Sequence, residues 1–175
     1  MRKKLFKFSI LIFYFFVSIY IINFSIQNKN NEYIYETKSV SYANLIMLKI
    51  PKINLSTKVI KASKNFSNLN SSLVYYREFN PNDKIIIFGH SGMGKGTYFN
   101  RLDELPVGDV AYLEYNNKIY KYSITRTYNI SKKNTYILKK ENYSKKLLLV
   151  TCVKNNKNKR LVVELVLKSD KTIEK

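Results

Sequence analysis

Short apolar runs punctuated by polar turns fill the chain from about residue 44 onward: "LIMLKI", "INLSTKVIKA", "KIIIFGH", "VAYLEY", "KIYKYSITRTY", "KLLLVTC" and "RLVVELVL". They are rich in β-branched and aromatic residues and are bounded by Asn, Gly, Pro and Ser, the pattern of β-strands. Asn116-Asn117 joins two of them, and because Asn tolerates positive φ the pair predicts a tight hairpin from Val110 to Tyr128. One segment has helical spacing instead. In "TYFNRLDELP" the residues Tyr98, Phe99, Leu102 and Leu105 fall on one face, Thr97 is placed to cap the start and Pro106 to end it, which predicts a helix of about two turns. The pattern predicts an all-β domain with one or two short helices.

A different pattern opens the chain. Arg2, Lys3 and Lys4 precede, and Lys7 stands near the start of, an apolar stretch from about Leu5 to Ile26, whose other polar residues are the uncharged Ser9, Ser18, Asn23 and Ser25. As a helix, about 22 residues would span roughly 33 Å, close to the hydrocarbon thickness of a bilayer. The stretch "YIINFSIQNK" offers no convincing small-x-small cleavage site, so the segment reads as an uncleaved anchor in preference to a signal peptide. Basic residues before it place the N-terminus in the cytoplasm and the rest outside the cell. The expected organisation is a basic tip and single-pass anchor over residues 1–27, a stalk over 28–43, and one extracellular domain over 44–170.

Charge and composition narrow the chemistry. The net charge of +19 favours anionic partners such as lipid headgroups or wall polymers. Nucleic acid is not expected, because the lysines are spread in pairs such as Lys132-Lys133, Lys139-Lys140 and Lys145-Lys146 and no nucleic-acid motif accompanies them. The single Cys, Cys152, has no intrachain disulfide partner and is either buried, paired between chains, or a reactive thiol. One His and one Cys fall short of the usual transition-metal ligand sets, and neither a metal nor a cofactor is expected.

The stretch "IIIFGHSGMGKGTYF" nearly matches a phosphate-binding loop through Gly89, Gly94 and Lys95. That loop needs a hydroxyl next, where this chain has Gly96, and the elements that follow are a hairpin and not the long helix of a repeating βαβ sheet. The glycines Gly92, Gly94 and Gly96 therefore read as a flexible turn. What remains is His90, directly after the strand-like run Ile85 to Phe88. Cys152 is placed in the same way, at the C-terminal end of the apolar run Leu147 to Val150, followed by the seven-residue polar loop "VKNNKNK". Arg160 opens the next run, so a hairpin pairing of the two runs sets Cys152 and Arg160 near each other across the ladder. The position of His90 relative to them does not follow from local pattern.

Each of these residues taken alone has an ordinary structural role. Together, "FGH", "LLVTC" and "KRLVV" resemble the sortases, membrane-anchored cysteine transpeptidases of Gram-positive bacteria, whose signature has Gly-His after one strand, a Thr-Leu-x-Thr-Cys strand and an Arg opening the following strand. The resemblance extends over about residues 44–167. "LKIPKINLSTKVIKAS" is similar to the family's opening strands, and "YFNRLDELPVGDVAYLEYNNKIYKY" to its helix, Val-Gly-Asp turn and central hairpin. Two departures stand out: Leu148 replaces the signature's first Thr, and the loop from Cys152 to Arg160 is short.

The resemblance implies an eight-stranded β-barrel in which His90, Cys152 and Arg160 converge as catalytic residues, with Thr151 beside them contributing to substrate binding. It implies that Cys152 attacks a sorting signal similar to Leu-Pro-x-Thr-Gly to give a thioester, that His90 protonates the departing amine, and that an amine of a cell-wall precursor or a pilin lysine then accepts the surface protein. An arginine, charged at every physiological pH, suits a place beside a thiolate and a developing oxyanion. The absence of a second membrane segment, of an Asp-Pro-aromatic lid and of a large insertion before "KLLLVTC" points within the family to a housekeeping or small accessory type. Two other readings are a catalytically idle, membrane-tethered β-barrel that binds anionic wall polymers, and a cysteine L,D-transpeptidase, whose Ser-His-Gly-Cys run "VTCV" does not match.

Overall fold

A computed structural model describes residues 17–23, 45–92, 94 and 96–173. Residues 1–38 and 39–175 form separate units. In the first, residues 17–23 are α-helical. The expected membrane anchor lies mostly outside the described residues, among which no helix is long and apolar enough to cross a membrane.

The second unit is built from eight strands: β1 (Ile46–Ile50), β2 (Leu55–Lys61), β3 (Leu73–Tyr75), β4 (Lys84–Phe88), β5 (Val110–Tyr115), β6 (Lys118–Ser131), β7 (Lys146–Val153) and β8 (Asn156–Thr172). They close into a barrel in the order β1-β2-β3-β4-β7-β8-β6-β5. Most neighbours are antiparallel, but β2 with β3 and β4 with β7 are parallel. The β5–β6 hairpin turns on Asn116 and Asn117, both at positive φ (50° and 57°), the conformation their side chains tolerate.

Alternation along each strand divides the side chains between two apolar clusters. Ile85 and Ile87 of β4, Leu147 and Leu149 of β7, and Val163 and Leu165 of β8 point into the barrel with Leu48, Leu113 and Ile124. The intervening Ile86, Leu148, Val150 and Val162 form a second cluster on the outer face, packed against Tyr128, Ile130, Ile137 and Leu138. Leu148 thus meets other apolar side chains, which accounts for an apolar residue where the family signature has Thr. Burying a side chain of this size contributes about 1.5–3 kcal/mol.

Two expectations are corrected. The segment expected to form a helix of about two turns is instead a run of turns ending in a 3-10 turn, Leu102–Glu104. Its bonds span three residues, from Leu102 N to Phe99 O and from Glu104 N to Arg101 O. Thr97 does not cap it, and its hydroxyl donates to Gly94 O at 2.8 Å. So short a segment between fixed ends gains too few α-helical bonds to offset nucleation. The four single-turn 3-10 helices are the helical elements among the described residues of this unit.

The seven-residue polar loop expected after Cys152 is also mostly strand. β7 runs to Val153 and β8 begins at Asn156, leaving Lys154 and Asn155 as the turn. The Lys and Asn residues are held in place by the end of β6 and the residue after it: Ser131 pairs with Lys159, and Lys132 N donates to Asn158 O.

Candidate active site

Topology, not local sequence, brings His90 to Cys152. The parallel β4·β7 ladder ends with Phe88 opposite Val150. Three bonds carry that register two residues further: Gly89 N donates to Val150 O (3.1 Å), Thr151 Oγ1 to Gly89 O (2.8 Å), and Ser91 Oγ to Cys152 O (2.8 Å). His90 and Cys152 therefore occupy matching positions at the C-terminal ends of neighbouring strand paths. By alternation both belong to the outer face, in line with Phe88 and Val150. Thr151 is buried and spends its hydroxyl on Gly89, so it splices the two strand ends together.

On the other flank of Cys152, the antiparallel β7·β8 ladder pairs Cys152 with Arg160. Immediately beyond that pair the register jumps, with Val153 opposite Asn156, so Lys157, Asn158 and Lys159 bulge from the β7 ladder. Arg160 Nη1 donates to the carbonyls of Lys157 (3.3 Å) and Lys159 (2.9 Å), which anchors one arm of the guanidinium to the bulge. The barrel order β4-β7-β8 thus seats Cys152 between His90 and Arg160. All three are half-buried, and the thiol is free.

Two contributors were missed by sequence reasoning. Asn70, in the loop between β2 and β3, holds His90 Nε2 at 3.2 Å through its side-chain oxygen, an arrangement in which the imidazole donates. Gly89 supplies space. A Cβ there would lie 2.4 Å from Leu73 Cδ2 and 2.6 Å from Phe99 Cδ2, so only glycine lets the chain pass close enough to the core to deliver His90. The loop before Asn70 also packs Phe66 edge-on against Phe88 and stacked on Tyr76, giving the His90 side an aromatic wall.

A cavity of about 280 Å³ adjoins Cys152, lined by Ser91, Asn100, Asp103, Asn129 and Lys154 among others. Neither His90 nor Arg160 lines it. A second cavity, of about 380 Å³, lies toward the start of β4 and is rich in cations, among them Lys61, Arg77, Lys84, Lys139 and Lys140. At that end Glu141 links the paired lysines Lys84 and Lys146 of β4 and β7 at 2.8 and 3.1 Å. The bond from Lys84, with further support from Lys146 against a partial burial cost, holds the Glu141 carboxyl below the usual carboxylate range. Among the described residues no three His, Cys, Asp or Glu side chains converge to hold a metal ion.

Comparison with known proteins places this arrangement. The sortase domain model matches residues 48–168, spanning nearly the whole barrel. Sortase D of Bacillus subtilis is 28% identical over 109 residues, covering 61% of this chain and 52% of that protein, so the match spans about half the length of this curated relative. The fold is shared with sortase A of Listeria monocytogenes, with a TM-score of 0.67 at 20% identity over 77% of this chain and 93% of that one. It is also shared with the sortase D5 transpeptidase of Clostridium perfringens, with a TM-score of 0.62 at 21% identity over 81% of this chain and 89% of that one. With the family model covering the strands that carry His90, Cys152 and Arg160, this chain belongs to the sortase family.

Proposed function

We propose that the protein is a cysteine transpeptidase that cleaves a sorting signal similar to Leu-Pro-x-Thr-Gly and transfers the acyl portion to an amine. The observation that carries this reading is the placement of Cys152 between the strand end bearing His90 and the paired Arg160. The reactive pair is Cys152, the nucleophile, and His90, which takes the thiol's proton. Sγ attacks the scissile carbonyl, and the developing oxyanion is stabilised by the guanidinium of Arg160, whose orientation is fixed by the bulge carbonyls. Collapse breaks the C–N bond, His90 gives its proton to the departing amine, and a thioester on Cys152 remains. An incoming amine attacks the thioester, the C–S bond breaks, and the thiolate is regenerated as His90 takes up the amine's proton. No cofactor is required by these steps.

On this reading the substrates are surface proteins with a C-terminal sorting signal, and the acceptor is an amine of a cell-wall precursor or of a pilin lysine. The apolar segment near residues 5–26 anchors the chain in the cell membrane with the barrel outside. The test is the intact mass of the full chain in detergent after incubation with a mixture of Leu-Pro-x-Thr-Gly-like peptides, beside Cys152→Ala. An added mass equal to the peptide through its Thr, present only with Cys152 and removed by triglycine, is the expected result. A thiol left unmodified by a broad peptide library would leave the tethered wall-binding barrel as the better account.

A further inference from the structure

The two cavities near β4 and β7 differ in charge. The one toward the start of β4 gathers five cationic side chains with two carboxylates, Glu78 and Asp83. The one beyond the ends of β4 and β7 is lined by Thr151, Cys152 and residues that follow His90 and Cys152 in sequence, and its only carboxylate among the described residues is Asp103. Both oxygens of Asp103 receive the ammonium of Lys154, at 2.9 and 3.1 Å. Lys154 follows Cys152 by two residues, so a primary ammonium rests on a carboxylate in the same cavity that Cys152 adjoins.

In a transpeptidation the departing and the attacking groups are both amines, and both are ammonium ions in neutral water. The acyl side of the reaction has no such requirement. We propose that the cavity beside Cys152 receives the amine acceptor, that Asp103 captures its ammonium group, and that Lys154 is the resident competitor for that carboxylate. Both side chains of the pair are about half exposed (56% for Lys154, 46% for Asp103), so the bond is readily exchanged. Two neighbouring polar groups are committed elsewhere: Ser91 Oγ donates to Cys152 O, and Asn100 accepts from Gly92 N and donates to Thr97 Oγ1.

The step this site serves rests on the transpeptidase reading. An ammonium held on Asp103 sheds one proton to water and attacks the thioester carbonyl as the free amine. The C–N bond forms, the C–S bond breaks, the second proton goes to His90, and Cys152 leaves as thiolate. Asp103 touches the acceptor's nitrogen only before attack, so it governs acceptor affinity and not acyl-enzyme formation.

The test loads the full chain with a Leu-Pro-x-Thr-Gly-like peptide and follows thioester loss with increasing triglycine amide, for wild type, Asp103→Asn and Lys154→Met. Hydroxylamine, uncharged at neutral pH, serves as the control nucleophile. Asp103→Asn is expected to raise the triglycine amide concentration for half-maximal aminolysis about three- to tenfold, with thioester formation and hydroxylamine cleavage unchanged. Lys154→Met is expected to lower it. A thioester that partitions identically in all three proteins overturns the acceptor site alone. A wild-type chain that forms no thioester overturns the transpeptidase reading and this site with it.

Discussion

Cys152 and Arg160 face each other across the β7·β8 ladder at the last pair before the register breaks. The break matters because the bulge carbonyls of Lys157 and Lys159 take bonds from one guanidinium nitrogen. An arginine can be anchored there by one arm and still present its remaining donors, whereas a lysine has a single point of attachment.

Arg160→Lys is therefore expected to keep the barrel's thermal midpoint and the local charge while lowering kcat/KM for the sorting-signal peptide about 10²–10³-fold. Steady-state kinetics beside a melting curve separates the two effects. Activity within a factor of three of wild type would show that charge alone suffices.

Asn70 positions His90 without reaching the thiol. Asn70→Ala is expected to leave Cys152 fully alkylated by iodoacetamide but to lower kcat about three- to tenfold, through loss of one hydrogen bond to the imidazole. Because the chain contains one histidine, a single imidazole resonance reports the change directly. An unmoved resonance would place Asn70 outside the site.

Gly89→Ala tests the close approach that delivers His90. The new methyl would collide with the buried side chains of Leu73 and Phe99. A loss of about 1–3 kcal/mol in urea unfolding is expected, together with reduced activity from displacement of the β4 end. Wild-type stability would mean that the core there yields easily.

The pairing of Glu141 with Lys84 and Lys146 sets a pH dependence. The folded carboxyl titrates below the unfolded value of about 4.3, so its stabilising contribution is fully present above that pH and is lost as pH falls through the lower folded value. Glu141→Gln should melt earlier than wild type at pH 7, with the two curves converging toward pH 3. Melting points that stay parallel across this range would remove Glu141 from the acid response.

Much of this was written locally. The β-branched runs mark every strand but the three-residue β3, Asn116-Asn117 marks the hairpin, and the adjacency of Cys152 to Arg160 follows from pairing two consecutive runs. His90 was different. β4 and β7 are separated in sequence by β5 and β6, and their parallel pairing is a property of barrel closure that no window of residues reveals. The segment Thr97–Pro106 misled for the opposite reason: its spacing is helical, but Phe99 N is already bonded to His90 O and the chain is pinned at both ends. Asn70 carried no signal at all, because a loop asparagine gains meaning only from what lies across from it.

Closure of the barrel has one more consequence. β4 and β7 are each hydrogen-bonded on both sides, so neither offers a free row of amides and carbonyls to an incoming polypeptide. A peptide lying beside Cys152 cannot be recruited as an additional strand, the usual way in which sheets seize extended chains regardless of sequence. Under the proposed transpeptidation it has to be read by side chains and by the loops that frame the strand ends, so selectivity is open to change through the β2–β3 and β6–β7 connections while His90, Cys152 and Arg160 stay fixed on the barrel wall.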